Sequence, residues 1–267
     1  LTEGNHSITY TLTDKAGNES QPSNPVTIII DTTAPSVLKL DQVYDNELNI
    51  IGVLKSGDYT NDTKPTFNGS GAEAGALISL KDETGKVIGT ATAEADGSWR
   101  VEPSDANKLS DGLHGLTVTQ TDAAGNESPS SSFVLNVDTK APSQTTVITD
   151  IQDNEGAKQG KVDNNGYTDD LSPSINGTIN AALGVNEKVV IYRDGKYLGE
   201  ASIDPNDPTV WHYQDKELEN GKPYQYTARV EDSAGNQGGD SNAYNITIDN
   251  DPPHQTISIS NMTDNVT

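Results

Sequence analysis

The chain of 267 residues contains no cysteine, so neither disulfides nor thiolate metal sites can hold its domains together. Aromatic residues are scarce at 5% and apolar residues make up 32%, below the globular average. That leaves a disordered chain or a turn-rich β protein. Disorder is the poorer account, because apolar residues fall in short alternating runs such as Ile8-Thr9-Tyr10-Thr11-Leu12 and Tyr244-Asn245-Ile246-Thr247-Ile248, each bounded by turn residues. Basic residues are few as well. Seventeen Lys and Arg stand against 40 Asp and Glu, for a net charge of −23, and with no basic stripe or Arg-rich arm a nucleic acid partner is excluded. Self-repulsion of this size opposes compactness unless cations condense on the chain. Divalent cations are thus natural partners, whereas carboxylates scattered over a surface would serve solubility alone. No run of about 18 apolar residues occurs and the first residues lack a charged-then-apolar leader profile, so no membrane span or targeting segment is expected in this segment.

What the chain does have is self-similarity at a period a little over a hundred residues, the size of one sandwich domain. Asp-x-Ala-Gly-Asn occurs at Asp14 to Asn18, Asp122 to Asn126 and Asp232 to Asn236. A closing motif reads Asp31-Thr-Thr-Ala-Pro35, Asp138-Thr-Lys-Ala-Pro142 and Asp249-Asn-Asp-Pro-Pro253. A third motif aligns without a gap over 45–69 and 153–177. It shares Asp45-Asn-Glu47, Gly52, Tyr59-Thr60, Asp62, Pro65 and Asn68-Gly69 with Asp153-Asn-Glu155, Gly160, Tyr167-Thr168, Asp170, Pro173 and Asn176-Gly177, and begins again at Asp264-Asn265. Residues 32–138 and 139–249 are read as complete repeats, 1–31 as the last two strands of a preceding repeat and 250–267 as the first strand of a following one.

Alternation and turns place the strands of the first complete repeat. Strand A follows Pro35 and a long loop carries Asp45 to Asp62. Strand B runs through Phe67 and strand C over Leu77 to Leu80. A hairpin turn at Asp82 to Gly85 comes next, then a strand holding Trp99, strand F over Leu116 to Thr121 and strand G over Ser132 to Val137. Seven strands without a helix predict an all-β chain of tandem immunoglobulin-like β-sandwich domains, arranged as a rod. Trp99 and Trp211 are then core anchors more simply than sugar platforms.

Because an antiparallel sandwich reverses at every loop, the A–B loop lies at the pole where strand G ends, and the F–G loop lies at the opposite pole. Stacked repeats therefore bring Asp45, Asp62 and Asp138 of the first toward Asp232 of the second. Asp153, Asp169, Asp170 and Asp249 form the corresponding half of the next joint, Asp31 and Asp122 belong to the joint before, and Asp14 opens the same motif one repeat earlier. Clustered carboxylates repel by several kcal/mol at intermediate dielectric, a cost that a hard cation removes. Calcium takes six to eight oxygen ligands in flexible geometry, magnesium demands a stricter octahedron, and zinc prefers the His and Cys that are few or absent here. Calcium is the expected ion. Taken alone, each Asp-x-Ala-Gly-Asn is also an ordinary turn sequence.

Asp-x-Ala-Gly-Asn followed by Asp-Thr-x-Ala-Pro at this period closely resembles the bacterial Ig-like repeats of giant non-fimbrial adhesins exported by type I secretion. The resemblance covers essentially the whole chain. It implies a secreted protein at the bacterial cell surface, built as a rod of many repeats. Calcium would stiffen the joints at the matched aspartates, and distal repeats would contact host or biofilm glycans. The expected partners are neighbouring repeats of the same chain, and the chain itself is expected to be a monomer. A direct glycan-binding module is the alternative, resting on Tyr192, Tyr197, Tyr213, Tyr224 and Tyr226, which crowd the second repeat. These are more simply core or cross-strand packing. An enzyme is not expected: His6, His114, His212 and His254 fall at unrelated positions, and acids that recur in every repeat do not make a single cleft.

Overall fold

The computed structural model describes residues 1–260. They divide into two compact units, one ending at Lys140 and the other beginning at Ala141. The first opens with a hairpin, β1 (Gly4–Ile8) and β2 (Val26–Ile30), paired antiparallel with His6 opposite Ile28. A sandwich follows, made of β3 (Lys39–Asp45), β4 (Gly52–Leu54), β5 (Tyr59–Thr60), β6 (Thr66–Ser70), β7 (Leu77–Lys81), β8 (Val87–Thr92), β9 (Trp99–Val101), β10 (Gly112–Thr121) and β11 (Ser131–Val137). One sheet has the order β4-β3-β6-β9 and the other β5-β11-β10-β7-β8.

The segment expected to be a loop between Asp45 and Asp62 contains two short strands. After β3 the chain turns back as β4, then crosses to the other sheet, where β5 runs parallel to β11. Strands of three and two residues are too short to show a period-two pattern, and Gly57, at φ 98°, breaks the run between them. The strand expected from Leu116 begins four residues earlier, at Gly112. Alternation places the core: Leu116 and Val118 on β10, Leu135 and Val137 on β11, Ile78 and Leu80 on β7 and Phe67 on β6 are all buried between the sheets.

The second unit repeats this plan with β12 (Thr146–Asp153), β13 (Gly160–Val162), β14 (Gly166–Thr168), β15 (Ser174–Ile179), β16 (Glu187–Arg193), β17 (Lys196–Glu200), β18 (Ser202–Asp204), β19 (Asp207–Gln214), β20 (Pro223–Asp232) and β21 (Tyr244–Ile248). Its sheets are β13-β12-β15-β19-β18 and β14-β21-β20-β16-β17, with β14 parallel to β21. The fold is all-β and immunoglobulin-like in both units, with no α-helix among the described residues. Each sandwich has more strands than seven because its first strand is divided between the two sheets with a short antiparallel strand, β4 or β13, between the two parts, and the second adds β18.

Trp99 and Trp211 are the predicted anchors, 3% and 0% exposed. Their indole Nε1–H groups donate to Ser70 O at 3.3 Å and Thr146 Oγ1 at 3.0 Å. Each ring lies against a glycine of the shared Asn-Gly pair, where a Cβ on Gly69 or Gly177 would collide with the indole. Residues 250–260 form no strand. The third motif copy at Asp264-Asn265 lies outside the described residues.

Candidate metal centre

β5 ends at Thr60, and this residue organises the acids around it. The Thr60 hydroxyl donates to Asp45 Oδ2 at 2.6 Å and accepts from the Asp62 N–H at 3.0 Å. Its carbonyl accepts from the Asp138 N–H at 2.9 Å, so the residue at which β11 leaves the sandwich is tied to the end of β5. Asp45 Oδ1 accepts from the Glu47 N–H at 2.8 Å, while Asp62 accepts from the Asn46 N–H at 2.9 Å and the Lys64 N–H at 2.7 Å. Asp45 and Asp62 are almost fully buried, 1% and 2% exposed. Burial pushes the Asp45 carboxyl above its ordinary range, the negative charge of Asp62 adds to this, and the bonds from Thr60 and Glu47 oppose it.

The second unit builds the same network. Thr168 donates to Asp153 Oδ2 at 2.6 Å, accepts from the Asp170 N–H at 3.1 Å, and through its carbonyl accepts from the Asp249 N–H at 2.9 Å. Asp170, not Asp169, takes the place of Asp62. Asp169 occupies the position of Asn61, and its carboxylate lies over Gly156. Beside this network an open cleft of about 420 Å³ is lined by Asp153, Asp163, Asp169 and Asp249 together with Lys158 and Lys161.

The Asp-x-Ala-Gly-Asn loops are closed turns. Asp14 Oδ1 accepts from the Ala16 and Asn18 N–H groups at 2.8 and 3.0 Å, and Oδ2 accepts from Asn18 Nδ2 at 2.9 Å. Asp122 and Asp232 accept the same three bonds from their own loops. The side-chain bond from the asparagine leads in holding the Asp14 and Asp122 carboxyls below the ordinary range. In the first unit Asn126 also donates from Nδ2 to Asp31 O at 3.2 Å, which places this turn beside the incoming chain. Asp31 and Asp138 each cap their own turn, accepting from the Thr33 and Lys140 N–H groups at 3.1 and 3.0 Å.

Calcium fits the donor set in kind, since every group is a hard oxygen. The Asn61 amide oxygen, buried beside Asp62, has no hydrogen-bond partner, and Asp45 and Asp62 repel each other in a buried pair. The fit is incomplete in number: among the described residues no three or more His, Cys, Asp or Glu side chains gather into a metal-binding group. Asp45, Asn61 and Asp62, and likewise Asp153, Asp169 and Asp170, thus do not make a coordination shell by themselves.

Three features escaped the sequence reading. His6 and His114 are not at unrelated positions, because His6 faces Ile28 and His114 faces Leu135 at the same place in equivalent hairpins. Their Nε2–H groups donate to Thr2 O at 2.6 Å and Ser110 O at 2.8 Å. In the second unit Tyr224 holds that corner, accepting from the Glu219 N–H at 2.9 Å, a close relative of the tyrosine corner of immunoglobulin folds. The separation of the histidines equals that of Asp14 and Asp122, a signal that was available. Thirdly, the buried Asp215 accepts from Arg193 Nη1 at 2.9 and 3.0 Å and from the Tyr226 hydroxyl at 2.6 Å, linking the two sheets. The other tyrosines pack as expected: Tyr192 and Tyr197 meet edge-on across strands, Arg229 covers the Tyr192 ring at 4.3 Å, and Tyr213 lies against Gly199.

A family model described as a bacterial Ig-like domain matches residues 41–139 and 144–250. No curated protein matches the chain. Among solved structures, the fibronectin(III)-like modules of Clostridium thermocellum CbhA align at 13% identity, covering 80% of this chain and 100% of that one, with a TM-score of 0.47. A Ca2+-stabilised adhesin that helps an Antarctic bacterium bind ice aligns at 18% identity over 92% of this chain and 57% of its own, with a TM-score of 0.37. A tetra-tandem repeat from the extending region of a large adhesion protein gives 18% identity, the same coverages and a TM-score of 0.29. The chain thus spans little more than half of either adhesin structure.

Proposed function

The chain belongs to the bacterial Ig-like domain family, and from that premise we propose that it is a structural extender, a run of consecutive repeats within the stalk of a large adhesin at the bacterial surface. The observation that carries this reading is the clamp at each chain exit. Asp138 and Asp249 are bonded to Thr60 and Thr168, which are themselves locked between two buried aspartates. A domain whose last strand is fixed to its own interior delivers the chain at a defined point, which suits a part joined end to end with others. Two copies of one clamp in one chain suit a part whose purpose is repetition.

Calcium completes the proposal. Asp45, Asn61, Asp62 and Asp138 would hold it on the first repeat, Asp153, Asp169, Asp170 and Asp249 on the second, with Asp232 and its equivalents supplying oxygens from the neighbouring repeat. An ion at a hundredfold excess over its Kd adds about 2.7 kcal/mol to the bound geometry, so extracellular calcium would stiffen what a calcium-poor cytosol leaves pliable for export. Small-angle scattering and thermal melting, each with calcium and with EGTA, test both parts. A longer maximum dimension and a raised Tm in calcium are expected. Identical curves in the two buffers discard the calcium, and a compact particle in both discards the stalk.

A further inference from the structure

Just past each exit aspartate the chain is tied down a second time. The N–H of Thr139, the residue after Asp138, donates to Asp111 Oδ1 at 3.0 Å, and the Lys140 ammonium meets Asp111 Oδ2 at 2.9 Å. The N–H of Thr32, the residue after Asp31, donates to Glu3 Oε2 at 3.1 Å. In the second unit the N–H of Asn250, the residue after Asp249, donates to Asn220 Oδ1 at 2.9 Å. All three acceptors stand immediately before a glycine, Gly4, Gly112 or Gly221. Two are acids and the third is an amide.

An asparagine before glycine can close on its own backbone. Hydroxide takes the Gly221 amide proton, the nitrogen attacks Asn220 Cγ, and the bond from Cγ to Nδ2 breaks as Nδ2 takes up a proton and leaves as ammonia. Water then opens the succinimide at either carbonyl, giving aspartate or isoaspartate, so one water is consumed and one ammonia released. The structure favours each part. Asn220 and Gly221 are exposed, and nothing stands within 4 Å of the place a Cβ on Gly221 would take. The bond from the Asn250 N–H polarises the amide as a donor does in an oxyanion site. Against this, only the bond from the Gly221 N–H to Ile248 O, 2.8 Å at the last residue of β21, has to open. The other Asn-Gly pairs are held more firmly. Asn68-Gly69 and Asn176-Gly177 lie within β6 and β15, which have strands on both sides. Asn165 is braced twice by Asn245, whose carbonyl accepts its N–H at 2.7 Å and whose Nδ2 donates to its Oδ1 at 3.1 Å.

We propose that Asn220 is a spontaneous deamidation site, and that its conversion loosens the exit of the second repeat as the protein ages. The neighbours decide the consequence. Asp251 stands where the first unit has Lys140, so a carboxylate at 220 gains no cation and adds a negative charge beside Asp249 and Asp251. Isoaspartate also lengthens the backbone by one methylene and moves the acceptor away from the Asn250 N–H. At Asp111 the same closure has to expel hydroxide from a carboxylate that Lys140 holds ionised, so the first exit keeps its acceptor.

Ageing of the full chain in heavy-oxygen water, in neutral and in mildly alkaline buffer, followed by proteolysis and mass spectrometry, reads the reaction directly. Asn220 should gain the mass of an amide-to-acid exchange with one heavy oxygen, faster as pH rises, and enzymatic methylation should mark isoaspartate at the same residue. Asn68 and Asn176 should stay amides until the chain is unfolded in urea, and Asn220→Gln should remove the signal at 220. By NMR, exchange of the Asn250 N–H should be severalfold faster in the aged chain than in the fresh one, with the Thr139 N–H unchanged. An Asn220 that survives in the folded chain and converts only in urea overturns the proposal. So does conversion no faster than at Asn68 and Asn176, or full conversion that leaves Asn250 exchanging at its starting rate.

Discussion

Replacing Thr60 by valine is a clean test of the clamp, because valine keeps the β-branched shape and removes only the hydroxyl. In the native chain that hydroxyl donates to a buried carboxylate at 2.6 Å and accepts from the Asp62 N–H at 3.0 Å. Thr60 is itself fully buried, so water cannot take over either bond. The first is charge-assisted and contributes about 2 kcal/mol, the second about 1 kcal/mol, and both former partners are left buried and unsatisfied. A loss of about 3 kcal/mol follows, which in a domain near a hundred residues lowers Tm by about 12–24 °C. Thr60→Ser, which keeps the hydroxyl, should recover most of it. Differential scanning calorimetry on T60V, and on T168V in the second unit, measures the effect, with each substitution acting on its own sandwich. If T60V melts within about 2 °C of the parent, the span of an ordinary surface change, the hydroxyl is not what holds the exit strand.

Gly177→Ala drives a Cβ into the Trp211 ring and the Val147 carbonyl, so it should cost about 3 kcal/mol by overpacking, whereas Gly115→Ala, which meets only Glu83 Cβ at 4.0 Å, should stay near neutral in urea melts. Asp215→Asn removes the charge that Arg193 and Tyr226 share between the sheets, and about 3 kcal/mol should be lost because a half-buried guanidinium is left without its counterion. Acid should destabilise the first unit. The bond from Lys140 leads, with help from Thr139, in holding Asp111 down at about 2 against an ordinary 3.8, so its contribution is present above pH 4 and is lost as pH falls from 4 to 2. Asp45 runs the other way, since its raised carboxyl is relieved as protons bind. Asp111→Asn should flatten the acid limb of Tm against pH by lowering Tm above pH 4 while leaving it nearly unchanged near pH 2.

The strand faces and the two tryptophans were legible because each is written as a pattern: alternation within strands, and a large aromatic in a small core. The division of the first strand was not. β5 has only Tyr59 and Thr60, and what makes it a strand is its parallel pairing with β11, a partner more than seventy residues away. Thr60 recurs beside Asp62 as Thr168 does beside Asp170, but it is neutral, so no charge pattern marks it as the residue that organises the carboxylates. The histidine corner was missed for a related reason. His6 and His114 align only when counted in the frame of the repeat, and in the second unit tyrosine does the same work from Tyr224 with different chemistry.

The excess of aspartate has two uses, and geometry separates them. Asp82, Asp96 and Asp207 each accept from the N–H two residues on and from the hydroxyl of Thr84, Ser98 or Thr209, which pins tight turns in a chain without disulfides. Asp96 and Asp207 are exposed and Asp82 is only part-buried, so water disperses their charge and no ion is called for. Asp45 and Asp62 cap turns in the same way, but they do so buried and side by side, where each carboxylate raises the cost of the other. A turn bond occupies one lone pair of a carboxylate oxygen and leaves the second in place. The same side chain can therefore cap its loop and face a cation, and the need for a counterion grows with burial instead of with the number of acids. On the proposed reading the buried pair, and not the total of −23, would determine any calcium response.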